Sequence, residues 1–153
     1  RTTSSVLVII AASGAFSYIF AIEQVPAHVI GMLSSVSDNP LIVMGLVAMG
    51  LVVLGMIVEG AAIMILAAPL LVSIANFFGI DPVHMGVMVV MVLTISTLTP
   101  PVGIVLFTVC SLTGCRIGEF LKEMLPFFAT LLAILALVAV FPQLVLFLPD
   151  WLQ

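Results

Sequence analysis

Residues 41–78 read LIVMGLVAMGLVVLGMIVEGAAIMILAAPLLVSIANFF, with one charged residue, Glu59, and no hydrophilic loop. As a single helix this stretch would be about 57 Å long, whereas the hydrocarbon core of a bilayer is about 30 Å thick. It must therefore turn back on itself. The punctuation near its middle is Gly55-Met56-Ile57-Val58-Glu59-Gly60. The stretch is expected to form a helical hairpin with its tip at 55–60, and so tight a tip favours a re-entrant hairpin over two full crossings.

The rest of the chain has the composition of the same solvent. Apolar residues make up 64% of the 153 positions and charged residues 7%, with a mean hydropathy of +1.49. A soluble domain carries roughly a quarter charged residues, so this chain lacks a polar shell with which to face water. The first residue is Arg1 rather than methionine, and the chain runs straight into a span, which suggests the C-terminal part of a longer protein. The expected fold is an all-α integral membrane protein, a polytopic helical bundle with a re-entrant hairpin and a discontinuous transmembrane helix.

Working outward from the hairpin, residues 1–25 read as a span and 26–40, with Ser34, Ser35, Ser37, Asp38 and Asn39, as an extracytoplasmic connection. Asn39 or Asp38 can cap the hairpin's first arm, with Pro40 in its first turn. After the second arm, Gly79-Ile80-Asp81-Pro82 stops one helix and starts another. Residues 82–114 read as a helix broken at 96–103, residues 115–125 as a cytoplasmic connection and residues 126–153 as a final span with its outer end. Basic residues flanking spans mark the cytoplasmic side. Only Arg1, Arg116 and Lys122 are basic, and all three share one side only if residues 41–78 enter and leave by the same face.

The break carries the most chemistry. In Leu93-Thr94-Ile95-Ser96-Thr97-Leu98-Thr99-Pro100-Pro101-Val102-Gly103, the two prolines have no N–H to donate to the carbonyls of Ser96 and Thr97. Thr99 precedes a proline and is pushed out of the α region. Gly103 permits further irregularity. Non-helical backbone at membrane depth is tolerated where it is buried in protein or lines a polar cavity, and discontinuous helices of this kind coordinate Na⁺ or H⁺ in transporters. The competing reading is a proline kink healed by the Thr and Ser hydroxyls.

Glu59 is the one carboxylate deep within apolar sequence, which makes it a candidate for an ion or proton role. Alternatively it caps the second arm, accepting from that helix's first N–H groups. His28 and His84 read as interfacial first-turn residues. Cys110 and Cys115 lie five apart without further Cys or His nearby, so a metal site is not expected. The cytoplasmic end of a span also argues against a structural disulfide between them. No nucleophile–base set, phosphate loop or metalloprotease pattern points to an enzyme.

Taken in order, Gly79-Ile80-Asp81-Pro82-Val83-His84-Met85-Gly86, Leu98-Thr99-Pro100-Pro101-Val102-Gly103, Pro126-Phe127 and Leu148-Pro149 resemble the large membrane subunit of tripartite ATP-independent periplasmic (TRAP) transporters. Gly55 to Gly60 and Ala68-Pro69 look like that family's second hairpin. The resemblance implies an elevator-type secondary transporter in a bacterial inner membrane, of which this chain would hold one of two inverted repeats. It implies a Na⁺ site between the hairpin tip and the broken helix, carried by position onto Gly55, Ser96, Thr99 and Val102. Backbone carbonyls and the Thr99 hydroxyl would be the ligands. Glu59, Thr97, Pro100, Pro101 and Gly103 would lie in the vicinity of ion or substrate. Ser96 stands where the family pattern has glycine, a change that a carbonyl ligand survives.

Implied partners are the rest of the same large subunit, a small TRAP membrane subunit, separate or fused, and a periplasmic substrate-binding protein. Implied substrates are small organic anions such as dicarboxylates, sialic acid or other acidic sugars. No cofactor is expected, with Na⁺ as coupling ion. Two other readings remain open from the residues, a binding-protein-independent Na⁺- or H⁺-coupled anion symporter or exchanger, and a passive channel or scaffold subunit.

Overall fold

The computed structural model describes residues 14–16, 18–20, 22–99 and 104–152, and all regular structure among them is helical. Seven helices follow one another: α1 Val25–Val36, α2 Pro40–Gly55, α3 Gly60–Phe78, α4 Pro82–Leu98, α5 Ile104–Thr113, α6 Ile117–Val140 and α7 Gln143–Leu152. A preceding helical stretch, Gly14–Phe20, meets α1 at 60°. Gln24 sits at that bend with φ +50°, a left-handed conformation. It leads directly into Val25-Pro26, and proline suits a helix's first turn.

Helix boundaries follow local cap chemistry. The Asn39 side chain accepts from Leu41 N–H at 2.9 Å, and Pro40 opens α2. Gly79 ends α3 at φ +68°, where a residue with a Cβ would be strained. The Asp81 carboxylate accepts from the N–H groups of Val83 at 2.8 Å and His84 at 3.2 Å, and Pro82 opens α4. Asp81→Ala is expected to destabilise the full-length protein by about 1 kcal/mol. Thermal unfolding in detergent checks this, and Asp81→Asn should fall measurably closer to the parent.

The two arms of the hairpin are joined by residues 56–59 and embrace α4, which packs on each arm more extensively than the arms pack on one another. The core is built from Val43, Met44 and Leu51 of α2, Ile63, Leu71 and Ile74 of α3, and Met85, Met88, Val89, Val92 and Leu93 of α4. Along α4 the buried positions recur at three- and four-residue spacing, the stripe of a helix that faces its neighbours on one side. Lipid is as apolar as these side chains, so close packing rather than water exclusion holds such helices together. Large apolar residues on the outside, among them Met49, Phe77, Leu125 and Phe127, have the character of a surface that meets acyl chains. Helices α3 and α6 are long and apolar enough to cross a membrane, whereas α2 and α4, with 16 and 17 residues, are shorter. The protein is an all-α integral membrane protein.

Three of the expected boundaries differ. Residues 26–40, read as a connection, are helical through Val36, because the Ser34 and Ser35 hydroxyls bond back to the carbonyls of Gly31 and Met32 rather than breaking the helix. Residues 115–125, also read as a connection, are helical from Ile117 onward and continuous with the final span. Pro126 is accommodated inside that helix, its carbonyl accepting from the Thr130 hydroxyl at 2.9 Å. The final span itself ends at Val140, and Pro142 separates it from α7.

Candidate functional site

The hairpin tip rests on the last turns of α4. A Cβ placed on Gly55 would stand 2.8 Å from the Ser96 Cβ and nearer still to its hydroxyl. A Cβ on Gly60 would meet the Leu93 Cβ at 3.5 Å, an ordinary contact. The two glycines that bound the tip thus face Ser96 and Leu93, residues one helical turn apart on the same side of α4. Of these contacts the Gly55 one excludes any side chain. Ser96 has no exposed surface, and its hydroxyl donates to the Leu93 carbonyl at 2.6 Å.

At the break, Thr99 leaves the helix with φ −93° and ψ 131°, the extended conformation that a following proline requires. The Ser96 carbonyl, expected to lack a helical donor, accepts from the Thr99 N–H at 3.1 Å in a tighter i to i+3 bond. This corrects the expectation in part. Pro100 removes the i+4 donor, the chain substitutes the i+3 one, and a carbonyl with two lone pairs retains one for a ligand. The Thr99 hydroxyl donates to the Ile95 carbonyl at 2.9 Å, so its own lone pairs face away from that bond. Thr94 and Thr97 likewise donate to the carbonyls of Val90 and Thr94. Val102, Pro100, Pro101 and Gly103 lie outside the described residues.

Glu59 occupies the cap position of α3 but makes no side-chain cap bond, which overturns the capping alternative. Its exposed side chain stands at the rim of an open groove of about 330 Å³, shared with Gly60, Met64, Val90, Thr94 and Thr97. Thr99 instead opens onto a separate apolar cleft with Leu98, Leu121, Met124, Leu125 and Phe128. The structure therefore brings Gly55 and Ser96 together, groups Glu59 with Thr97, and sets Thr99 at the end of α4 towards α6.

One contact that sequence reasoning missed is that of His84. It lies in the first turn of α4, as expected, but is only 3% exposed, and its Nε2 donates to the Val138 carbonyl of α6 at 2.8 Å. In a continuing helix that carbonyl would accept from residue 142, which is proline and has no N–H. His84 supplies the missing donor. The signal was present in the chain as a proline four residues beyond Val138, but nothing local indicates which distant side chain answers it.

The family profile described as "Tripartite ATP-independent periplasmic transporter, DctM component" matches residues 1–144. Among curated relatives, the sialic acid TRAP transporter large permease protein SiaM of Vibrio cholerae is 39% identical over 98% of this chain and 35% of its own length. The C4-dicarboxylate TRAP transporter large permease protein DctM of Pseudomonas aeruginosa is 32% identical over 99% of this chain and 36% of its own. The ectoine/5-hydroxyectoine large permease protein UehC of Ruegeria pomeroyi is 26% identical over 97% and 35%. The chain thus spans about a third of the length of these relatives. With the profile covering all but its last residues, the chain belongs to the DctM component family of tripartite ATP-independent periplasmic transporters.

Proposed function

We propose that this chain is the ion-coupled part of a Na⁺-driven importer of small organic acids in a bacterial inner membrane. A periplasmic binding protein delivers the substrate, and a small membrane subunit and the remainder of the large subunit complete the permease. The observation that carries this reading is the seating of the Gly55 end of the hairpin directly on Ser96, at the turn where α4 loses its helical bonding. A hairpin tip and a helix end that meet inside apolar surroundings concentrate backbone carbonyls where water does not compete for a cation.

In this mechanism the carbonyls of Gly55, Ser96 and Val102 and the Thr99 hydroxyl receive Na⁺ as a transported species. Binding joins the hairpin tip to the break and offsets the negative charge of an arriving carboxylate. Without the ion the tip loses that tie, so a carrier holding substrate alone does not close, which is how coupling arises. The hairpin acts as a re-entrant element whose tip stays within the membrane while the unit carrying it moves. Relatives named for sialic acid and C4-dicarboxylate support a carboxylate-bearing substrate class, and so does the relative named for ectoine.

Thr99→Ala tests the assignment. In reconstituted full-length protein it is expected to raise the Na⁺ concentration for half-maximal uptake by about tenfold, the loss of roughly 1.4 kcal/mol of binding. Thr99→Ser, which keeps the hydroxyl, should stay near the parent. Unchanged Na⁺ dependence in Thr99→Ala would remove that hydroxyl from the site.

A further inference from the structure

Cys110 and Cys115 take no part in the transport reading, yet the fold places them together. Cys110 is buried near the end of α5 and Cys115 is half-buried in the turn before α6; both are free thiols. Their sulfurs lie 3.2 Å apart. The approach follows from how α5 ends. Gly114 takes φ +70° and its N–H bonds to the Cys110 carbonyl at 2.9 Å, which curls the chain back over the last helical turn. A glycine-ended helix commonly makes an apolar contact between the positions that Cys110 and Cys115 hold; here both partners are thiols.

The two sulfurs are not equivalent. The Thr113 hydroxyl lies 2.8 Å from the Val109 carbonyl and 3.2 Å from the Cys115 sulfur. Its single proton goes to the stronger acceptor, and a thiolate outcompetes a neutral carbonyl. Thr113, helped by Cys110, holds the Cys115 thiol below its ordinary pKa, with burial and the Glu119 carboxylate opposing. Cys115 is also the more accessible of the two. A more accessible thiol, its thiolate favoured by a neighbouring hydroxyl, beside a buried second one is the arrangement of a redox-sensing pair with a resolving cysteine.

We propose that Cys110 and Cys115 form a reversible redox site at the joint between α5 and α6, closed into a disulfide by hydrogen peroxide. The Cys115 thiolate attacks one peroxide oxygen, breaking the O–O bond and giving a sulfenic acid, while the leaving oxygen departs as water after taking up a proton. The Cys110 sulfur then attacks the sulfenic sulfur. The S–S bond forms, the S–O bond breaks, and the Cys110 proton leaves with the hydroxyl as a second water. Two electrons pass from the thiols to the peroxide, and a dithiol reductant reverses the change. Closure needs the sulfurs to approach from 3.2 Å to about 2.05 Å. Because the turn 114–116 is the connection between α5 and α6, the disulfide ties that joint to the helix before it.

The test uses full-length protein in native membranes, exposed to hydrogen peroxide, quenched with N-ethylmaleimide and digested for mass spectrometry. The peptide holding both cysteines is expected to become unalkylated and two hydrogens lighter in most molecules, and dithiothreitol should restore double alkylation. Cys110→Ser should leave a dimedone-reactive sulfenic acid at residue 115. Cys115→Ser should slow peroxide oxidation of residue 110 by about tenfold or more, since the buried thiol lacks an activating neighbour. Both cysteines remaining alkylatable after peroxide would overturn the proposal. So would a disulfide from either one to a cysteine elsewhere in the protein, or oxidation of Cys115 to sulfinic acid with Cys110 intact. None of these readouts depends on transport.

Discussion

Gly55→Ala is expected to reduce Na⁺-dependent uptake by about tenfold or more while leaving a folded, membrane-inserted protein. The added methyl would overlap the Ser96 side chain, with 2.8 Å between the two Cβ atoms. Ser96 has no free space to retreat into, being wholly buried and bonded to Leu93. Either the tip lifts from α4 or α4 shifts within its packing against both arms. Overpacking of this kind costs roughly 1–3 kcal/mol. That is affordable for a whole membrane domain, but large compared with the binding energy of one coupling ion. Function should therefore fail before folding does. Removing the obstruction from the opposite side supplies the control: Gly55→Ala combined with Ser96→Gly is expected to recover a substantial part of the uptake. Ser96→Gly alone keeps the carbonyl and should change Na⁺ dependence little. A double variant as inactive as Gly55→Ala would show that the fault lies elsewhere than in this contact.

His84→Leu is expected to destabilise the protein by about 1–3 kcal/mol, the range for leaving a shielded acceptor without its donor. Interhelical hydrogen bonds in membranes average only about 0.6 kcal/mol. This one should exceed the average because Pro142 denies the Val138 carbonyl its helical alternative. A double-mutant cycle isolates this bond. Pro142→Ala restores an N–H four residues after Val138, so His84→Leu should cost at least about 1 kcal/mol less in that background. Thermal unfolding in detergent reads both numbers. Equal costs in the two backgrounds would mean that His84 matters for packing rather than for the carbonyl.

The contrast between these two residues shows what was legible in the chain. The helix start at Pro40 and the stop and restart at Gly79 to Pro82 are written in residues adjacent to where they act, as caps and a left-handed turn. The two breaks in the apolar runs were legible in the residues themselves, but the proximity of Gly55 to the Ser96 turn entered only with the family resemblance. Val25–Val36 was not legible as a helix, since serines that bond back within a helix look the same in sequence as serines that end one. The start of α6 was hidden in the same way by Glu119, Lys122 and Glu123, charges that ride on a helix instead of marking a loop. Capping by Glu59 failed because position alone does not fix where a long side chain points; the residue lines the groove with Thr94 and Thr97 and makes no cap bond. His84 was beyond reach, because its partner lies 54 residues away.

The central claim is that the hairpin and the broken helix form the Na⁺-coupled part of a binding-protein-dependent permease. It is tested most directly by uptake of a radiolabelled organic acid into proteoliposomes containing the full-length permease, with Na⁺ and the periplasmic binding protein varied separately. Concentrative uptake is predicted only when an inward Na⁺ gradient and the binding protein are both present, with loss of either reducing it to the leak. Accumulation that proceeds equally well with Na⁺ replaced by K⁺, or a flux that only equilibrates substrate across the membrane, would contradict the account.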